Sequence, residues 1–170
     1  CIRLKDDYKF FNWDDEKDYL ASNKDRLAFM ASLIAGIVQQ QKNTLVLTDR
    51  IVTGETLDEM LHERGIDSIF LQGSVKSTKR FEEYKKFADE DNKCVIAIDK
   101  IASTGLNIPR LFNIVFIDYG KAFTKTIQSI GRGLRRASDK DFVTIYDISS
   151  TTKYSREHFN NRIHYYEDAQ

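Results

Sequence analysis

Short apolar runs recur along the chain and alternate with segments whose apolar residues follow helical spacing. Such runs, apolar nearly throughout, are typical of strands covered on both faces, as in a parallel sheet. They lie at Thr44–Thr48, Ser68–Leu71, Cys94–Ile98, Ile114–Ile117 and Phe142–Tyr146. Helical spacing fills the intervals, at residues 24–41, 57–61, 78–88 and 127–134 and after Ser155. The pattern predicts an α/β fold in which a doubly wound, mostly parallel sheet carries helices on both faces.

The N-terminal 22 residues show neither the apolar run of a buried strand nor the apolar spacing of a helix. Aromatic and acidic side chains mix there without a sustained repeat, so we expect residues 1–22 to be an interdomain linker that docks aromatic side chains onto a neighbour. Ser22 and Asp25 form the S-x-x-D pattern of a capping box, which predicts the start of the first helix. We therefore expect one domain over residues 23–170, with a short internal linker at residues 149–152.

Composition sets limits on the class of protein. The 170 residues are 41% apolar and 31% charged, which is ordinary for a globular domain. Basic and acidic residues both number 26, so any contact with nucleic acid must depend on local patches. The two cysteines, Cys1 and Cys94, predict neither a disulfide framework nor a metal site. The absence of a long apolar run predicts a cytoplasmic protein with no membrane contact, and the start at Cys1 suggests a fragment of a longer chain.

The residues that follow the predicted strands are candidates for a site, because ligands of such sheets bind beyond the carboxyl ends of the strands. These segments are Thr48–Arg50, Gln72–Ser74, Asp99–Pro109 and Asp118–Gly120. Their hydroxyls, glycine N–H groups and Arg50 can donate to phosphates without reading base edges. Asp118 and Asp147 form a second candidate, an acid/base pair, although Asp at a strand end is commonly a turn former or helix cap. The three histidines lack partners at metal-ligand spacing, so we predict no metal site.

The stretch Gln128–Arg136 carries the densest chemistry. Read as a helix, it has an apolar stripe and, about 130° away, a polar one. The apolar stripe comprises Ile127, Ile130 and Leu134, and the polar stripe comprises Gln128, Arg132 and Arg135. Two guanidiniums one turn apart can clamp a polyphosphate, whereas Arg136 lies off the polar stripe. The alternative is a solvated basic helix end.

The order Q-x-x-G-R-x-x-R in this stretch resembles motif VI of superfamily 2 helicases, which lies in the second of their two RecA-like domains. Ser103 to Asn107, in the order S-T-G-L-N, resembles motif V. Residues 44–50 resemble motif IV, and residues 71–74 resemble motif IVa, although Gln72 stands where a histidine is usual. The resemblance covers essentially the whole chain and implies a RecA-like fold.

The resemblance also implies roles for individual residues. The expected catalytic residues are Arg132 and Arg135, directed at the γ-phosphate of ATP. Gly105, Asn107 and Gln128 are implied to bind the nucleotide. The expected contacts to the nucleic-acid backbone are Thr48, Arg50, Gly73, Ser74, Ser103 and Thr104. The expected ligands are thus ATP with Mg²⁺ and a strand of DNA, or alternatively RNA, bound without sequence specificity.

Two motifs of a complete ATPase are missing from the chain. It has no G-x-x-x-x-G-K-[ST] loop and no D-E-x-[DH] following a strand. Without the loop lysine and the Mg²⁺-binding carboxylate, it cannot assemble a phosphoryl-transfer site alone. We therefore expect part of an ATP-dependent helicase or branch-migrating translocase, inactive by itself, whose partner is an N-terminal RecA-like domain that supplies the Mg²⁺ ligands. The alternatives are a non-catalytic nucleic-acid or protein-binding module and an α/β enzyme that uses Asp118 and Asp147.

Overall fold

A six-stranded parallel sheet forms the centre of the part of the chain that the structure describes. This computed structural model describes residues 1–40, 42–72, 89–98, 110–118 and 142–167, with the positions 78, 82, 83, 85, 86, 120 and 127. The strands are β1 (Ile2–Leu4), β2 (Thr44–Thr48), β3 (Ser68–Leu71), β4 (Cys94–Ile98), β5 (Asn113–Ile117) and β6 (Thr144–Ser150). Their order is β1-β6-β5-β2-β4-β3, and each neighbouring pair is parallel. The carboxyl ends of β5, β2, β4 and β3 therefore lie along one edge.

Four helices of the described residues cover this sheet: α1 (Trp13–Ser22), α2 (Lys24–Gln39), α3 (Ile51–His62) and α4 (Lys153–Glu167). Asparagine side chains begin the first two, because Asn12 accepts a hydrogen bond from Asp15 N at 2.9 Å and Asn23 accepts one from Arg26 N at 3.0 Å. Beyond the end of α3, Gly65 takes a φ of 73°, a left-handed conformation that glycine adopts without steric cost.

Two apolar cores lie on opposite faces of the sheet. Alternate residues of each strand face opposite sides, so Val46 packs with α2 and α3 while Leu45 and Leu47 pack on the other face. That second face also receives Tyr166 of α4 and Ile127. All five residues of β2 are buried, which explains the apolar run Leu45–Leu47 at its centre. The predicted doubly wound parallel sheet with helices on both faces is confirmed.

The N-terminal segment is more regular than its sequence pattern suggests. Residues 1–22 contribute the edge strand β1, paired with β6, and the whole of helix α1. Ser22 is the last residue of α1, and Asn23 is the cap of α2, so the predicted capping box at Ser22 is wrong. The reason is that the amide oxygen of Asn23 already accepts from Arg26 N.

The C-terminal boundaries also differ from the prediction. Strand β6 begins at Thr144 and continues to Ser150, so the predicted linker at residues 149–152 is half strand. Pairing with β1 extends β6 through polar residues, since Arg3 lies opposite Ser149 and Leu4 opposite Ser150. Helix α4 begins at Lys153, two residues before the predicted Ser155.

Some predicted elements fall largely outside the described residues. In the predicted helix 78–88, the described positions are all helical, namely Thr78, Glu82, Glu83, Lys85 and Lys86. In the predicted arginine-bearing helix, the described position is Ile127, which is helical and packs against the core. Among the helices that the structure describes, none is both long enough and apolar enough to cross a membrane.

Candidate functional site

The candidate site lies at the sheet edge formed by the carboxyl ends of β5, β2, β4 and β3, because ligands of parallel sheets bind beyond these ends. Thr48, the last residue of β2, pairs with Ile98, the last residue of β4, and Leu71 ends β3 beside Ala97. Asp118 follows β5 directly. The described residue that precedes each candidate segment thus lies on the same edge, because parallel strands align their carboxyl ends.

Most of the predicted site residues lie outside the described residues, and their roles stay predictions. They are Gly73, Ser74, Ser103, Thr104, Gly105, Asn107, Gln128, Arg132 and Arg135. The structure describes the strand ends from which the first six of these follow. It describes Thr48 and Arg50 directly, together with the residues that contact them.

Thr48 and Arg50 form the turn that leads from β2 into α3. The side chain of Thr48 is buried, and its hydroxyl accepts a hydrogen bond from Arg50 N at 3.3 Å. Arg50 is the N-cap residue of α3, with extended backbone angles and no capping hydrogen bond from its side chain. Its side chain is therefore available for other contacts at the edge. The hydrogen bond to Thr48 Oγ1 stabilises the turn.

Helix α1 lies over these strand ends and contacts the turn by two ion pairs. Arg50 Nη2 lies 2.8 Å from Asp18 Oδ1, and Lys17 Nζ lies 3.1 Å from Asp49 Oδ2. The Nε of Arg50 is buried and has no hydrogen-bond partner. The ion pair thus uses Nη2 alone, and the Arg50 side chain is 35% exposed, so its accessible donors suit an anion with more than one acceptor oxygen.

A buried ionic network supports the end of β5. The guanidinium of Arg26 on α2 forms a two-pronged contact with Asp118, in which Nη2 lies 2.7 Å from Oδ1 and Nη1 contacts Oδ2. Arg26 Nε also donates to Asp6 Oδ2 at 3.3 Å. Burial raises the pKa of the Asp118 carboxyl, and the charge of Arg26 opposes that shift. The network fixes the backbone that runs from β5 toward the predicted arginine-bearing helix.

Asp118 itself has a left-handed backbone, with a φ of 46°. Such a conformation is uncommon for a residue other than glycine and persists where surrounding contacts over-determine it. The fork of Arg26 on both carboxylate oxygens supplies those contacts. Arg26 is thus a positioning residue that motif comparison missed. The signal available in the sequence was a charged residue one turn before Met30 on the apolar stripe of α2.

Asp6 joins the N-terminal segment to this network. Its carboxylate accepts hydrogen bonds from Tyr19 OH at 3.1 Å and from Ser150 Oγ at 2.6 Å, in addition to Arg26 Nε. Burial, followed by the hydrogen bond to Asp6, raises the pKa of Tyr19 to about 12. The network therefore couples β1, α1, α2 and the ends of β5 and β6 through one carboxylate.

Asp147 forms a separate buried ion pair with Arg162. Arg162 of α4 donates to both of its oxygens, from Nε at 2.7 Å and from Nη2 at 2.8 Å, and Tyr166 OH donates at 2.8 Å. Burial and the Asp147 charge raise the pKa of Tyr166. Since Asp118 and Asp147 are bound by different arginines, the geometry gives no support to an acid/base site built on the two. In the described part of the chain, no cluster of His, Cys, Asp or Glu is arranged to hold a metal.

Glu16 of α1 has an unusual position for a carboxylate. It is fully buried and accepts hydrogen bonds from Thr152 Oγ1 at 2.7 Å, Ser155 N at 2.6 Å and Tyr154 N at 3.1 Å. These donors lie at the start of α4, where free N–H groups and the helix dipole favour an anion. The residues Asp15–Asp18 read D-E-x-D, but they lie in a helix rather than after a strand, and Glu16 serves as a cap.

Replacing Glu16 with Gln should lower the free energy of unfolding by about 1–3 kcal/mol, because an uncharged amide then faces donors that need an acceptor. The measurement is urea unfolding at neutral pH. Asp14→Asn is the matched control, since Asp14 is exposed on the same helix and the charge change is the same. Equal effects of the two substitutions would contradict the capping role.

Comparison with known proteins gives a consistent result for sequence and fold. Residues 25–137 match the family model described as the helicase conserved C-terminal domain. A protein of Sulfolobus islandicus filamentous virus that is named as a helicase is 32% identical over 104 residues, which cover 61% of this chain and 18% of the relative. The ATP-dependent DNA helicase uvsW of Enterobacteria phage T4 is 22% identical over 159 residues, which cover 87% of this chain and 31% of the relative.

Among solved structures, the crystal structure of T4 UvsW aligns with a TM-score of 0.79 over 92% of this chain and 35% of that chain, at 20% identity. A likeness at this identity concerns the fold. The chain spans less than a third of the length of each of the two curated relatives.

Proposed function

We propose a function on the premise that this chain belongs to the family of helicase conserved C-terminal domains. The family match confirms the resemblance to the second RecA-like domain of superfamily 2 helicases. On that basis we propose that the chain is the second motor domain of an ATP-dependent helicase or branch-migrating translocase. The observation that carries the proposal is the match over residues 25–137, a range that includes the S-T-G-L-N and Q-x-x-G-R-x-x-R sequences.

In this proposal, ATP with Mg²⁺ binds between the chain and a first RecA-like domain, which holds the phosphate loop and the Mg²⁺ ligands. Gly105, Asn107 and Gln128 contact the nucleotide, and Arg132 and Arg135 contact its γ-phosphate. The chain alone turns over no ATP, since a phosphoryl-transfer site needs groups from both domains. Closure of the cleft on ATP drives stepping along the strand, in the cytoplasm.

The nucleic-acid strand, DNA or alternatively RNA, lies in this proposal along the carboxyl edge of the sheet. Its backbone contacts Thr48, Arg50, Gly73, Ser74, Ser103 and Thr104. The described geometry supports the choice of Arg50, whose guanidinium is partly exposed at that edge and already binds an anionic oxygen. A second candidate is a non-catalytic binding module with the same fold. The arginine pair favours the motor, because a module that hydrolyses nothing has no use for γ-phosphate contacts.

Binding of oligonucleotides by the isolated chain tests the proposed strand path. We expect weak binding without preference among base sequences, since the net charge is zero and the contacts are to phosphates. Arg50→Ala should reduce the slope of log K against log salt by about 0.7–1 unit, the amount expected for one lost phosphate contact. The measurement is fluorescence anisotropy over a salt series with single strands of different sequence.

Arg64→Ala is the control for that experiment. Arg64 follows the end of α3, whereas Arg50 precedes its start, so the two arginines lie near opposite edges of the sheet. An unchanged salt slope for Arg50→Ala, or equal changes for both variants, would refute the placement of the strand at this edge.

A further inference from the structure

Arg50 already forms an ion pair with an acidic side chain of the protein itself, Asp18. The ion pair between Arg50 Nη2 and Asp18 Oδ1 is 2.8 Å long, and the Asp18 side chain is 75% exposed. The buried Nε of Arg50 takes no part in the pair. A single contact between exposed groups is weak and exchanges readily with other anions, in contrast to a two-pronged buried pair.

The helix that carries Asp18 is held firmly, so only the side chain is free to leave. Leu20 and Ala21 of α1 are buried, and Glu16 is tied to the start of α4 by three hydrogen bonds. Thr53 Oγ1 also donates to Ala21 O at 3.3 Å, which joins α1 to the first turn of α3. Asp18 can therefore rotate away from Arg50 without any movement of the backbone.

We propose that the carboxylate of Asp18 is an internal competitor for nucleic-acid phosphate at Arg50. A carboxylate and a phosphodiester present the same anionic oxygen to a guanidinium, so the strand must displace Asp18 before it contacts Arg50. Asp18 thereby weakens the binding of the nucleic-acid strand and assists its release. A translocating domain needs such release, because it must bind and dissociate from the strand repeatedly. This inference rests on the proposed function, because it names the regulation of the same site.

The test compares Asp18→Asn with Asp14→Asn in the full chain, each alone and combined with Arg50→Ala. Asp14 lies one turn earlier on the same helix and makes no ion pair among the described residues, so both substitutions change the net charge equally. The probe is a fluorescent single-stranded oligothymidylate at low salt. Asp18→Asn should raise the affinity about two- to fivefold over the wild type, the range of an exposed ion pair. Asp14→Asn should raise it less, through long-range charge only.

The excess gain from Asp18→Asn should vanish in the Arg50→Ala background and at high salt. Equal gains from the two single substitutions, or an excess that survives loss of Arg50, would overturn the competitor role while leaving nucleic-acid binding intact. Failure of the wild type and of every variant to bind the oligonucleotide would refute the proposed function, and this inference with it.

Discussion

Replacing Arg26 with Met should lower the free energy of unfolding by about 3–5 kcal/mol, the cost of leaving a buried charge without its partner. Arg26 is almost fully buried, and its loss strands both Asp118 and Asp6 in surroundings that disfavour a charged carboxylate. It also removes the contacts that hold Asp118 in its left-handed conformation. The measurement is equilibrium unfolding in urea at neutral pH.

Arg156→Met is the control for this experiment, because Arg156 is exposed on α4 and its replacement should change stability by no more than about 0.5 kcal/mol. Arg26→Lys should recover only part of the loss, since an ammonium cannot engage both oxygens of Asp118 in the plane of a fork. If Arg26→Met destabilises the protein no more than Arg156→Met does, the network is not what fixes the end of β5.

Burial explains which elements could be predicted from the sequence. Strands β2, β3 and β4 have the predicted bounds. The burial of β2 and β4, inside the sheet, explains their apolar runs. Strand β3 lies at the sheet edge, where Ile69 and Phe70 are half-buried, and it keeps a short apolar run. Strand β1 has three residues at the sheet edge, too few to form a pattern. Helix α1 buries only Glu16, Leu20 and Ala21, so no apolar stripe marks it, and one of its buried residues is an acid.

The buried polar contacts were beyond prediction for a different reason. Arg26 and Asp118 are 92 residues apart, and Glu16 lies 139 residues from Ser155. No local spacing connects such partners, so their pairing follows only from the strand order, which brings the end of β5 beside α2. Motif comparison, by contrast, finds groups that contact ligands and passes over groups that position them. The sequence therefore indicated Arg50 as a candidate site residue, whereas its pairing with Asp18 and the pairing of Arg26 with Asp118 emerge only from the structure.

Arg132→Ala and Arg135→Ala, in a protein that joins this domain to its phosphate-loop domain, should each reduce kcat for ATP hydrolysis by about 10³-fold or more. A cation directed across the cleft contributes most where charge develops in the transition state, so the affinity for ATP should change less. Substitution by Lys should not restore the rate, because an ammonium lacks the planar two-donor fork. The measurement is steady-state ATPase kinetics with saturating nucleic acid.

Arg136→Ala is the internal control, because helical spacing places Arg136 off the polar stripe that Arg132 and Arg135 share. The predicted orientation of this helix places Ile127 on its apolar stripe. In the structure, Ile127 packs against the core of the sheet, as that orientation requires. Arg136→Ala should therefore retain most of the activity. Small and equal defects at all three arginines would favour the solvated basic helix end. A large defect at Arg136 with none at Arg135 would mean that the phase of this helix, and with it the choice of γ-phosphate contacts, is wrong.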